Sequence, residues 1–175
     1  RMSLWYIGDP CYAIDDDRWS EFCDMIGNFK HDALEDSGIE FKWYWIDEEG
    51  DERVHSVRVY NSGLGGDGSF ELHGYKFCVD AGLLSVLPIE VCGELSDEEK
   101  TVGAHGCYAI VDARFRPVWE INTEHFPHIT LDINGTIQTV TDGYEECEAC
   151  GEMTYENNMV YNDHQGAVCC GCEEE

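Results

Sequence analysis

Two cysteine pairs near the C-terminus constrain this chain more than any other feature. Cys147-Glu-Ala-Cys150-Gly151 and Cys169-Cys170-Gly171-Cys172 form a C-x2-C…C-x2-C pattern, with eighteen residues between Cys150 and Cys169. Two thiolates on one tight turn grip an ion from one side, and a second such turn completes a tetrahedron. The spacing predicts a structural Zn2+ held by Cys147, Cys150, Cys169 and Cys172. An iron centre of rubredoxin type satisfies the same spacing. Cys170 becomes a ligand only by giving up the x2 spacing, and His164 finds no vacancy beside four thiolates. A closed tetrathiolate leaves no position for water, so such a metal stabilises and does not catalyse. Between the two turns, Met153–Tyr155 and Met159–Tyr161 read as a small hairpin joined through Glu156-Asn157-Asn158, which completes a zinc ribbon.

Charge is the second constraint. Thirty-seven acids stand against ten bases, a formal net charge of −27, and no Lys or Arg follows Arg116. Four thiolates on one divalent ion would add to that charge. Such a field repels nucleic-acid phosphates and anionic membrane surfaces and attracts basic proteins. Direct nucleic-acid binding is therefore not expected, although zinc ribbons often serve it. Solubility alone is the plain reading of the acidity; a decoy surface for a basic, DNA-binding groove is the functional one.

No apolar run approaches the ~20 residues of a membrane helix. Met2-Ser3-Leu4 reads as a natural start without a basic-then-apolar leader. Ten cysteines without a secretion signal point to reduced thiols and metal rather than a disulfide framework. A cytoplasmic location, in a bacterium or an infected host cell, is the expectation.

Before the cysteines, periodicity predicts a mainly antiparallel β unit with one helix. Leu4–Ile7 is a strand stopped by Gly8-Asp9-Pro10. Asp15-Asp16-Asp17 caps a helix whose apolar stripe is Trp19, Phe22, Cys23, Ile26 and Phe29. From Phe41 the period becomes two, and 41–46 and 54–60 flank an acidic turn as a hairpin. Phe70–Leu72 pairs with Tyr75–Val79 across His73-Gly74. Further strands fall near 82–87, 107–111 and 118–121. Asn134-Gly135 between 129–133 and 136–140 is the strongest hairpin signal, because both turn positions need φ > 0. The fold class is α+β, mainly antiparallel β, as a sheet or small barrel of eight or nine strands with one amphipathic helix, plus the zinc ribbon. The division falls near 141–143, giving a β domain at 1–143 and a four-cysteine zinc-ribbon module at 144–175. Cys11-Tyr-Ala-Ile14 recurs as Cys107-Tyr-Ala-Ile110, an echo that chance explains as well as duplication.

Candidate catalytic residues are few. In Gly8-Asp9-Pro10-Cys11-Tyr12 a carboxylate and a thiol lie two residues apart, but a nucleophilic Cys needs a base or positive field. Spacing does not say which of the seven histidines would approach Cys11, and the net charge works against a thiolate. Cys11 as a core thiol beside a turn is the simpler reading. Asp9, Asp67 and Asp80 sit at loop or strand ends, where carboxylates can converge on Mg2+ or Ca2+ for phosphoester hydrolysis; Asp before Gly is also ordinary turn chemistry. His125-Phe-Pro-His128 suits an exposed turn.

Trp5-Tyr-Ile-Gly-Asp-Pro-Cys-Tyr12, Gly66-Asp67-Gly68, Val79-Asp80-Ala81-Gly82 and Pro88-Ile89-Glu90 resemble an uncharacterised family of small phage and bacterial proteins. The resemblance covers the first 140 or so residues, not the cysteine module. It implies a phage context and no particular activity. The expected function is a non-enzymatic protein-binding protein, an inhibitor or DNA mimic engaging a basic partner. A virion or assembly component, and a Cys- or metal-dependent hydrolase, are the alternatives.

Overall fold

The structure is a computed structural model that describes residues 2–27, 38–47, 49–64, 68–121, 129–140, 144–155, 159–162 and 166–172. Phe29, Asp67, His31, His125, His128 and His164 lie outside the described residues, as does the 156–158 connection.

In chain order the elements are β1 (Ser3–Gly8), a 3-10 turn (Pro10–Tyr12), α1 (Asp16–Gly27), β2 (Ile39–Ile46), β3 (Glu52–Asn61), β4 (Ser69–Leu72), β5 (Tyr75–Cys78) and β6 (Leu83–Pro88). A second 3-10 turn (Ile89–Val91) precedes β7 (Gly103–Ala104), β8 (Ala109–Ala113), β9 (Val118–Ile121), β10 (Ile129–Ile133) and β11 (Thr136–Thr139). The last four strands are β12 (Tyr144–Glu146), β13 (Met153–Tyr155), β14 (Met159–Asn162) and β15 (Gly166–Cys169).

A six-stranded sheet in the order β2-β3-β6-β1-β8-β7 forms the frame, and its pairs are antiparallel. Its inner position explains why β1 is a continuous apolar run instead of an alternating one. Leu4 and Tyr6 face the core beneath α1, while Trp5 and Ile7 face the opposite core. A strand covered on both sides has no polar face to show.

On the α1 side, Phe22 packs against Phe41 and Trp43, and Trp19 stacks on Phe22 with centroids 5.5 Å apart. Asp15 caps the helix by accepting the Arg18 N–H at 3.0 Å. Trp19, Phe22 and Ile26 join this core as expected, but Cys23 is exposed. The stripe that reaches the sheet is narrower than the periodicity implies.

On the other face, β11-β10-β9 and the β4–β5 hairpin close a second core around Trp119, Phe77 and Leu131. The Trp119 indole donates to the Ser85 carbonyl at 3.0 Å, joining the two sheets. Both hairpin turns take the mirror-image geometry. His73 and Gly74 have φ of 53° and 75°, and Asn134 and Gly135 have 54° and 85°. His73 tolerates that backbone while its N–H is held by the Gln138 side chain at 2.5 Å and its Nε2 by the Leu131 carbonyl at 2.8 Å.

Two expectations are corrected, and the sequence echo can be placed. Cys78 and Cys107 form a disulfide across 29 positions, so the thiols are not all reserved for metal. Fold proximity decides this, and neither residue lies in a spacing pattern. The echo takes two conformations: Ala13 and Ile14 lie in the turn that follows the 3-10 segment, whereas Ala109 and Ile110 are strand. The C-terminal hairpin also pairs differently. β13 pairs with β12, and β14 pairs with β15. Strands of three or four residues carry too little periodicity to name their partners, and each cysteine turn selects the ladder next to it.

Candidate functional site

The four-cysteine centre is built by these two ladders. Cys147 follows β12 and Cys150 lies in the turn leading to β13, while Cys169 ends β15 and Cys172 closes the turn after it. The first turn is tied by the Gly151 N–H to the Cys147 carbonyl and by the Cys147 N–H to the Glu152 carbonyl, both 2.8 Å. Gly151 sits at φ 73°, a left-handed conformation that favours glycine. The Cys172 N–H reaches the Cys169 carbonyl at 2.8 Å in the second turn.

The turns are then locked to each other. Glu148 N–H donates to the Ala167 carbonyl at 2.9 Å, and the Tyr161 hydroxyl bonds the Glu145 carboxylate. Gly166 has φ 72°, and a Cβ there would meet a Glu148 carboxylate oxygen at 2.3 Å, so no larger residue fits without displacing that side chain.

Sulfur atoms of Cys147, Cys150, Cys169 and Cys172 all lie within 4.8 Å of one another. A tetrahedral ion with metal–sulfur bonds of about 2.3 Å needs sulfur–sulfur edges of about 3.8 Å. Cys150 and Cys169 are 3.9 Å apart, so the set fits such an ion. The Cys169 N–H points at the Cys147 sulfur from 3.3 Å. That amide, with the Cys150 amide, lowers the Cys147 thiol to about 6. Hydrogen bonding with Cys169 instead raises the Cys172 thiol to about 12. Binding of a metal by thiols displaces their protons, so loading of this cluster is pH-dependent. Cys147 is buried beside Met159 and Val168, a small core of its own.

The N-terminal motif forms a different kind of site. Gly8 has φ 145°, and a Cβ there would lie 2.9 Å from the Tyr108 Cβ, so glycine is required. Asp9 is fully buried. One of its oxygens accepts the Cys11 N–H at 3.0 Å, and the other accepts the N–H groups of Asp80 and Ala81 at 2.9 and 2.7 Å. Tyr6 donates its hydroxyl to the Asp9 carbonyl. Pro10 starts the 3-10 turn, where its missing N–H costs nothing. Tyr12 donates to Asp80 Oδ2 at 2.5 Å.

Asp9, Cys11 and Asp80 are therefore neighbours, with Asp9 acting as the joint between two backbone segments. Burial, then the Asp9 carboxylate, pushes the Cys11 thiol up to about 12. That thiol stays protonated at neutral pH, the opposite of what a nucleophile needs. Beside it lies a groove of about 280 Å³ lined by Cys11, Ile14, Asp16, Trp19, Asp80 and Ala81. Sequence reasoning did not place Asp16 and Trp19 here. The available signal was their position in the first turn of α1, directly after the motif.

A second carboxylate group, Asp47, Glu49 and Asp51, lies in the β2–β3 turn. It closes on Arg53, whose Nε is 2.7 Å from Asp47. Across the sheet Arg116 grips Glu40 at 2.9 and 3.2 Å.

No helix of the described residues is long and apolar enough to cross a membrane. Comparison with protein-family models, with curated proteins and with solved structures finds no match to this chain.

Proposed function

We propose that this protein is a non-enzymatic binder of a basic protein surface, with a tetrathiolate Zn2+ module as its rigid C-terminal part. The observation that carries the reading is where the chain places its few cations. Arg58 and Arg116 both turn to Glu40, Arg53 to the 47–51 turn, and Arg18 to Glu21. Those bases are neutralised within the fold. Asp9 is the one buried carboxylate among the described residues, so the other described acids reach the surface, where the exposed Lys42, Lys76 and Arg114 are far outnumbered. The resulting field favours a partner of opposite charge and steers its approach.

Zinc is the proposed metal, since four thiolates in a closed set suit it and leave no site for substrate; iron is the outcome that metal analysis would distinguish. A phage-encoded inhibitor or DNA mimic is the biological form that accords with the N-terminal resemblance. The test is capture from bacterial lysate on immobilised protein, at low and at high salt. One basic protein retained at low salt, released at high salt and impaired in DNA binding by the chain is the expected result. An empty column, or retention indifferent to salt, overturns the proposal.

A further inference from the structure

The groove beside Cys11 joins an uncharged floor, an aromatic wall and two carboxylates in one concave site. Its floor is Ile14, which is 3% exposed, and the Cys11 thiol, which burial keeps protonated. Trp19 forms the wall, and Asp16 and Asp80 stand at the exposed edge. No Lys or Arg lines it. The nearest base in sequence, Arg18, is committed elsewhere: its guanidinium lies 3.9 Å from the centre of the Trp43 ring and donates to the Tyr44 carbonyl at 3.3 Å. That contact is a cation on an indole with an oxygen acceptor alongside, formed here within one chain.

The site is also rigid. One wall comes from the 3-10 turn and α1, the other from the β5–β6 loop, and the Asp9 carboxylate bonds amides of both. Tyr12 holds Asp80 by one oxygen, Oδ2, and Asp80 lines the groove. At about 280 Å³ the groove lies at the lower end of the roughly 300–1,000 Å³ of small-ligand clefts, with room for one long side chain.

We propose that this groove receives a single lysine or arginine side chain from the partner's basic surface, its alkyl stem against Trp19 and Ile14 and its cation between Asp16 and Asp80. The charges are complementary, and an indole face adds a cation–π term that a plain acidic surface lacks. The inference rests on the reading of the chain as a binder of basic proteins, and it places one anchor within an otherwise diffuse acidic field.

The experiment is an NMR titration of the intact, metal-loaded protein with Nα-acetyl-lysine methylamide, and in parallel with its uncharged norleucine counterpart. The expected result is saturable shifts confined to the Trp19 indole and the amides of residues 11–19 and 80–81. The norleucine compound, Trp19→Ala and Asp80→Asn should each weaken binding about tenfold. Asp16→Asn, on the exposed first turn of α1, supplies a second test that leaves the Tyr12 contact intact. Non-saturating shifts spread over many acidic residues, or equal binding by the variants, would overturn the anchor. Because the probe is a small molecule, that failure is separate from failure to capture a partner protein.

Discussion

The Asp9 carboxylate accepts the backbone N–H of Asp80 at 2.9 Å, across 71 positions of sequence. With the Ala81 and Cys11 amides it completes three charge-assisted bonds inside the protein. A carboxylate used this way is a structural joint, and its removal leaves three donors short of a partner. Asp9→Ala should destabilise the chain by about 3 kcal/mol or more, and Asp9→Asn, which keeps one acceptor oxygen, by about half of that. Urea denaturation followed by tryptophan fluorescence measures both. A change within about 0.5 kcal/mol for Asp9→Ala would refute the role.

The Cys78–Cys107 bond closes a loop across 29 positions and ties the end of β5 to the segment entering β8. Chain-entropy arithmetic for that loop gives about 3.5 kcal/mol. Reduction, or the paired change Cys78→Ser and Cys107→Ser, should lower stability by roughly that amount without unfolding the sheet. The Cys78 N–H to Cys107 carbonyl bond at 3.0 Å remains to hold the segments together. Thiol counting under denaturing conditions, before and after reductant, checks that the bond is present.

Glu40 reports on acid stability. The Arg116 guanidinium, followed by the Ser56 hydroxyl, holds its carboxyl down at about 2, against an ordinary 4.5. A depressed carboxyl contributes stability above its unfolded value and loses it as pH falls through the folded one. Glu40→Gln should therefore be less stable than the native chain at neutral pH, with the gap closing between about pH 4.5 and pH 2. Glu40 is 45% exposed, so screening limits the neutral-pH gap to under about 1 kcal/mol. A gap unchanged at pH 2 would contradict the pairing.

Metal removal should act locally. The two cysteine-bearing ladders have their own small core of Cys147, Met159 and Val168, apart from the two cores that flank the large sheet. A strong chelator should release one metal per chain and expose residues 144–172 to proteolysis, while the tryptophan core melts as before. Cobalt substitution should give the visible absorption of a tetrahedral thiolate site. Cys147→Ser should abolish it, and Cys170→Ser should not.

Legibility in the sequence follows the range of the interaction. β1 is visible because burial on both faces makes Leu4–Ile7 apolar throughout, and the Asn134-Gly135 turn because its backbone excludes most other residues. The four-cysteine cluster is visible because ligand spacing is a local demand. What stays hidden joins distant segments. Nothing near Tyr12 announces Asp80, nothing near Arg116 announces Glu40, and Cys78 gives no sign of Cys107. Strand order in the large sheet belongs to the same class, since packing of whole faces decides it. The pairing of β12 with β13 escapes for another reason: three-residue strands have no period to read.

The most direct test of the acidic-binder account is the salt dependence of the complex with the captured basic partner, measured as affinity against ionic strength. Exposed charges are screened over about 8 Å at physiological salt. The account predicts a steep linear fall in log affinity with log salt, steeper than for a variant with Asp16 and Asp80 neutralised. An affinity that stays flat as salt rises would contradict it, and would make the net charge of −27 a matter of solubility alone.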